Sequence, residues 1–157
     1  MGIETGTFRE ECENLVLKVA GCCSIMIMRT RTMPVKILVV DDEPLVHRLL
    51  QYHLERAGYQ TIQANNGQEA LELATREVPQ LIVMDIMMSD MDGLSALRQL
   101  KKMEDTKSIP VIVITANPHH ASQEESESCG AALFMTKPFS PAQLLAEIRR
   151  FVPTNPS

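Results

Sequence analysis

Asp85 closes the run Leu81-Ile82-Val83-Met84-Asp85, four apolar residues ending in a carboxylate. Two similar runs occur. Val35-Lys36-Ile37-Leu38-Val39-Val40 ends in Asp41-Asp42, and Val111-Ile112-Val113-Ile114 ends in Thr115. A fourth run, Ala132-Leu133-Phe134-Met135-Thr136, delivers Lys137. Three carboxylates, a hydroxyl and an ammonium, once gathered, suit a divalent cation beside a transferable phosphoryl group. A carboxylate needs no deprotonation at neutral pH to act as a nucleophile. Clustered carboxylates raise one another's pKa, and a cation removes that conflict. Oxygen-only donors favour Mg²⁺, with Mn²⁺ as a substitute. Lys137 adds a compact positive charge, and Thr115 adds a hydroxyl donor.

The elements that carry these groups follow from periodicity. Short runs rich in β-branched residues, bounded by turn signals, predict strands buried on both faces. Between them the pattern turns helical. Pro44 opens a helix where its missing N–H costs nothing, and Gly58 ends it. Val46, Leu49, Leu50 and Leu54 form that helix's expected apolar face. Tyr59 to Ala64 predicts a second strand. Gln68 to Arg76 predicts a helix with Ala70, Leu73 and Ala74 on one side. A further helix carries Leu94, Leu97 and Leu100, with Asp92 as its N-cap. Glu43 is expected in the first helical turn. Pro118 to Cys129 is acidic, with Ala121 and Cys129 as its only apolar anchors, and predicts a short, poorly held helix. The last helix, Pro141 to Val152, turns Leu144, Leu145, Ile148, Phe151 and Val152 inward. Alternating strands and helices predict a parallel α/β sheet, and such sheets bind ligands at the carboxyl ends of their strands.

Composition excludes several classes. The chain has 157 residues, 45% hydrophobic and 22% charged, which suits one globular domain. The net charge is −5 and no basic stripe appears, so direct nucleic-acid binding is not expected. Cys12, Cys22, Cys23 and Cys129 lack metal-site spacing, which reads as reduced thiols in a cytoplasmic protein. Leu15 to Met28 is too short for a spanning helix and is interrupted by Lys18, so no membrane insertion is expected. His47, His53, His119 and His120 are expected at the surface. Residues 1–33 read as a flexible N-terminal extension, 34–152 as the domain and 153–157 as a tail.

Val39-Val40-Asp41-Asp42-Glu43-Pro44, Met84-Asp85-Ile86-Met87-Met88 with Met91-Asp92-Gly93, Thr115-Ala116 and Lys137-Pro138-Phe139 together resemble the receiver domain of two-component response regulators. The spacings from Asp85 to Thr115 and on to Lys137 also resemble the family's. The resemblance covers about residues 34–152. It implies a flavodoxin-like (βα)5 fold with strand order 2-1-3-4-5. It implies that Asp85 accepts a phosphoryl group from a histidine kinase or a histidine phosphotransfer protein. Asp41, Asp42, Asp85 and the backbone carbonyl of Met87 would hold Mg²⁺. Thr115 and the Ala116 amide would contact the phosphoryl oxygens, and Lys137 would pair with them. Thr115 and Phe134 would form the switch, with the fourth helix rearranging. The Lys137-Pro138 bond would be cis.

Two departures stand out. Ser89 occupies a position where the family often has Pro, and the fourth helix is unusually polar. No segment outside 34–152 is long enough for an effector domain. The expected protein is therefore a stand-alone, largely monomeric receiver without dedicated turnover, signalling by contact with a downstream effector protein. Three other readings fit less well. A haloacid-dehalogenase-like phosphatase would need an acid/base Asp where Met87 stands. A flavin-binding carrier would need a Ser, Thr and Gly-rich phosphate loop where Asp41-Asp42-Glu43 stands. A non-phosphorylated receiver-like binding module would not need the full acidic set.

Overall fold

The computed structural model describes residues 33–88, 92–117 and 123–154. Expectations for residues 1–32, Ser89, His119, His120 and Ala121 lie outside them. Among the described residues, five strands alternate with five helices. They are β1 (Lys36–Val40), α1 (Pro44–Arg56), β2 (Gln60–Ala64), α2 (Gly67–Glu77), β3 (Leu81–Asp85), α3 (Gly93–Lys102), β4 (Val111–Thr115), α4 (Gln123–Ser128), β5 (Leu133–Thr136) and α5 (Pro141–Phe151). All pairings are parallel, in the order β2-β1-β3-β4-β5. This is the expected flavodoxin-like (βα)5 order.

The central strands are apolar on both faces because helices cover both. One layer packs Leu38, Val40, Ile82, Met84, Val111 and Val113 against Ala70, Ala74, Leu94, Leu97 and Leu100 of α2 and α3. The other packs Ile37, Val39, Leu81, Val83, Ile112 and Ile114 against Leu50 and Leu54 of α1 and Leu144 and Ile148 of α5. Successive strand residues thus alternate between the two layers. Each such aliphatic side chain contributes roughly 1.5–3 kcal/mol by leaving water.

Helix ends follow local chemistry. Pro44 stands at the start of α1, and Gly58 follows its end at φ 92°, a left-handed conformation that glycine adopts without steric cost. Asn66 caps α2, Asp92 caps α3, and Ser140 with Gln143 forms a reciprocal box at α5. Glu43 is itself the N-cap of α1 rather than a first-turn residue, since Pro44 takes that place, and its side chain makes no capping bond.

Three expectations about side chains change. Leu49 is 44% exposed and Phe151 38% exposed, each at the solvent edge of its helix. His47 is buried instead, on the inner face of α1 with Leu50 and Leu54. The helical period admits His47 to this face, whereas the polarity of histidine argues for the surface. In α4, Ser126 is fully buried, and Cys129 just beyond packs against the core. Arg98 on α3 reaches over to this segment, with Nε donating to Cys129 Sγ at 3.2 Å and an ion pair to Glu125 at 3.7 Å. Cys129 is a free thiol.

Candidate functional site

Register brings the strand ends into one line. Val40 stands opposite Met84, Asp85 opposite Ile114, and Thr115 opposite Thr136. The residues that follow β1 and β5 therefore flank the end of β3. Lys137 Nζ donates to Asp85 Oδ2 at 2.8 Å and to Asp41 Oδ2 at 3.2 Å. One ammonium thus bridges two carboxylates. Asp42 completes the set: ligand oxygens of Asp41, Asp42 and Asp85 all lie within 4.8 Å of one another. Asp41 and Asp85 are 3% and 5% exposed, whereas Asp42 faces solvent.

The loops fix these side chains. Asp85 Oδ1 accepts the Met87 N–H at 2.8 Å, and Asp41 Oδ1 accepts the Glu43 N–H at 2.9 Å. Behind Asp85 the chain turns sharply, and the Gly93 N–H donates to the Ile86 carbonyl at 3.2 Å. A Cβ on Gly93 would lie 2.4 Å from Ile86 Cα and 2.8 Å from the Asp85 carbonyl oxygen. No side chain fits there, so glycine is what lets α3 start against the end of β3.

Burial sets the electrostatics. It pushes the Asp85 carboxyl above the usual aspartate range. The Lys137 and Met87 hydrogen bonds and the Lys137 charge oppose that rise, and Asp41 adds to it. Burial also pulls the Lys137 ammonium down, but its hydrogen bonds and attraction to Asp85 and Asp41 outweigh this, and its pKa ends raised. Three carboxylates with one bridging cation leave the cluster short of positive charge. Hard, closely spaced oxygen donors fit a divalent ion of the Mg²⁺ class.

A stability consequence follows for the metal-free protein. Because the folded-state pKa of Asp85 is raised, its protonation favours the native state, and that benefit fades as pH rises through the folded pKa. Asp85→Asn should therefore be more stable than wild type at neutral pH, by about 1 kcal/mol, since Lys137 keeps Asp41 as its partner. The gap should narrow as pH falls through the raised Asp85 pKa. Urea unfolding with a chelator at several pH values checks this. A mutant less stable than wild type at neutral pH would contradict it.

Thr115 and Ala116 stand at the adjoining end of β4. Thr115 is fully buried, and its hydroxyl donates to the Asn117 carbonyl at 3.3 Å and accepts the Asn117 N–H at 3.2 Å. These bonds lie within its own turn, while Ala116 is exposed. Phe134 is half-buried and packs on the core layer beneath α3. The Lys137-Pro138 bond is cis. Sequence reasoning placed Asp41, Asp42, Asp85 and Lys137 at one sheet edge, where the structure brings them within reach of one another. It missed the Lys137 bridge to Asp41, and it missed His47, whose Nε2 lies 2.7 Å from the Asp41 main-chain oxygen. The spacing of His47, Leu50 and Leu54 was the available signal for the latter.

Comparisons with known proteins agree with this geometry. The family model described as "Response regulator receiver domain" matches residues 37–149. Among curated relatives, the alkaline phosphatase synthesis transcriptional regulatory protein PhoP of Bacillus subtilis is 42% identical over 114 residues, covering 73% of this chain and 47% of the relative. A probable transcriptional regulator, ycf27 of Porphyra purpurea, is 41% identical, covering 73% and 46%. The chain thus spans about half the length of these relatives. Among solved structures, Vibrio cholerae chemotaxis protein CheY4 superposes with a TM-score of 0.70 at 28% identity, covering 76% of this chain and all of the other. The receiver domain of the sensor histidine kinase PA1611 from Pseudomonas aeruginosa, solved with magnesium in its active-site cleft, gives 0.70 at 28% identity, covering 78% and 100%. Among the described residues, no helix is long and apolar enough to cross a membrane.

Proposed function

The chain belongs to the response regulator receiver family of two-component signalling, and from that premise we propose that Asp85 is its phosphoacceptor. A carboxylate oxygen of Asp85 attacks the phosphorus of a phosphohistidine on a sensor kinase or a histidine phosphotransfer protein. The new P–O bond forms as the P–N bond breaks, and the electron pair leaves on the imidazole nitrogen. The observation that carries this reading is the buried Asp85, held by Lys137 and by the Met87 N–H beside two further carboxylates. Such a reaction is mainly a matter of positioning and charge neutralisation.

Each neighbour has a role. Asp41, Asp42, Asp85 and the Met87 carbonyl would hold Mg²⁺, for which Mn²⁺ would substitute. Bound there, the ion supplies positive charge that offsets the carboxylates and the incoming phosphoryl oxygens. Lys137 keeps one phosphoryl oxygen paired. The Thr115 hydroxyl exchanges its bonds with Asn117 for another, and the Ala116 N–H takes a third. The inward movement of Thr115 opens space for Phe134, and α4 rearranges with it. Among the described side chains of α4 only Ser126 is buried, and few buried contacts mean low local stability. A few kcal/mol of differential stabilisation suffices for such a shift.

The domain runs over about residues 34–152 and acts as a monomeric cytoplasmic phosphoacceptor without dedicated turnover. It meets a kinase or phosphotransfer protein on one side and a downstream effector protein on the other, and it makes no direct contact with nucleic acid.

Metal titration separates the roles. Asp42→Ala should weaken Mg²⁺ affinity by about tenfold or more. Lys137→Ala should not weaken it, because removing a cation from the cluster lowers repulsion toward Mg²⁺. Calorimetric titration of the unphosphorylated proteins reads both. Unchanged affinity in Asp42→Ala, or a loss in Lys137→Ala, would refute the assignment.

A further inference from the structure

The phosphoacceptor chemistry leaves one buried polar group in the same region unused. His47 sits on the inner face of α1, 5% exposed, beside Leu50 and Leu54. A carbonyl oxygen only accepts, so the 2.7 Å contact makes His47 Nε2 the proton-bearing donor to the Asp41 main-chain oxygen. Nδ1 is then an acceptor. It is buried and finds no partner among the described residues. An unsatisfied buried nitrogen is costly, and an aliphatic side chain would fill this face without that cost. What the imidazole adds over an aliphatic residue is the single bond from Nε2.

That bond falls on a particular peptide. The Asp41 carbonyl belongs to the planar unit that links Asp41 to Asp42, so holding it fixes the direction in which Asp42 leaves the backbone. Asp41 is already tied at its other polar atoms. Its N–H donates to the Ala64 carbonyl at 3.1 Å, Oδ1 accepts from the Glu43 N–H, and Oδ2 accepts from Lys137. The carbonyl lies between the end of β1 at Val40 and the start of α1 at Pro44, which has no N–H to offer. His47 reaches back from the first turns of α1 to hold it.

We infer that His47 is a positioning residue for the divalent cation: its Nε2–H orients the Asp41–Asp42 peptide so that the exposed Asp42 carboxylate stays beside Asp41 and Asp85. This rests on the metal reading of the acidic cluster and extends it to a residue that does not touch the ion.

The test is calorimetric Mg²⁺ titration of the unphosphorylated full chain. His47→Phe fills the same space without the donor and should lower affinity about tenfold. His47→Gln places an amide donor at a similar reach and should recover affinity to within about threefold of wild type. Leu54→Ala loosens the same helix face without a bond to the site and should stay within about twofold. If His47→Phe does not fold, His47→Leu replaces it with the same expected loss. Wild-type affinity in the donor-free variant, with Asp42→Ala still impaired, would overturn the role of His47 and leave the metal reading intact. Wild-type affinity in Asp42→Ala would overturn both. A loss in Leu54→Ala equal to that in His47→Phe would also overturn the inference, because it would trace the effect to general loosening of α1.

Discussion

Asp85→Asn, incubated with acetyl phosphate and Mg²⁺, should take up at least about a hundredfold less phosphoryl group than wild type. The amide is nearly isosteric, so α3, the Met87 turn and the Lys137–Asp41 contact should persist. What disappears is the anionic oxygen that attacks phosphorus. A small phosphodonor makes the experiment independent of which kinase serves this chain. The variant discriminates between two carboxylates, because Asp41 is at least as buried as Asp85 and shares the same lysine. Asp41, however, lies one strand over from the centre of the sheet edge, whereas Asp85 ends the central strand β3. Uptake near the wild-type level in Asp85→Asn would move the acceptor elsewhere in the cluster.

Gly93→Ala should be the most damaging single-methyl addition among the described glycines. Its Cβ would press on Ile86 Cα and the Asp85 carbonyl, which are backbone atoms with no rotamer to escape into. Shifting them disturbs both the start of α3 and the end of β3, at a cost of roughly 3 kcal/mol. Phosphorylation should slow as well, because the displaced carbonyl belongs to the acceptor residue. Gly58→Ala offers the contrast. It has a positive φ but open space, with Thr154 Cγ2 no nearer than 3.9 Å, so only the left-handed strain remains, about 1 kcal/mol. Urea unfolding of both variants decides the matter. A Gly93→Ala protein no less stable than Gly58→Ala would mean that the close approach relaxes freely.

The centre of the sheet was legible because β1, β3 and β4 are short, apolar on both faces and rich in β-branched residues. Punctuated by Pro and Gly, such runs fit buried parallel strands better than helices, which need longer stretches. Asp41, Asp42 and Asp85 were legible for the same reason, standing where a buried run stops, and Lys137 was legible because it follows the half-buried edge strand β5. Side-chain direction was less so. Leu49 and Phe151 match a helical period yet lie at its solvent edge, where a shift of one position decides exposure. His47 fits the buried period of α1 but carries a polar ring, and only the Asp41 carbonyl beneath it explains why it is tolerated there. The double contact of Lys137 was hidden because it depends on the distance between two strand ends, which no single run encodes. The Thr115 hydroxyl turned toward Asn117 could not be read from sequence either, since it is one of several rotamers that a strand-end threonine can adopt.

The most direct measurement is peptide mapping of the phosphorylated protein. Wild type treated with acetyl phosphate and Mg²⁺ should gain one phosphoryl mass, borne by the peptide containing Asp85. The gain should be absent with a chelator and absent in Asp85→Asn. A phosphoryl group found on a peptide without Asp85, or gained equally with the metal removed, would contradict the assignment of Asp85 as the metal-assisted acceptor.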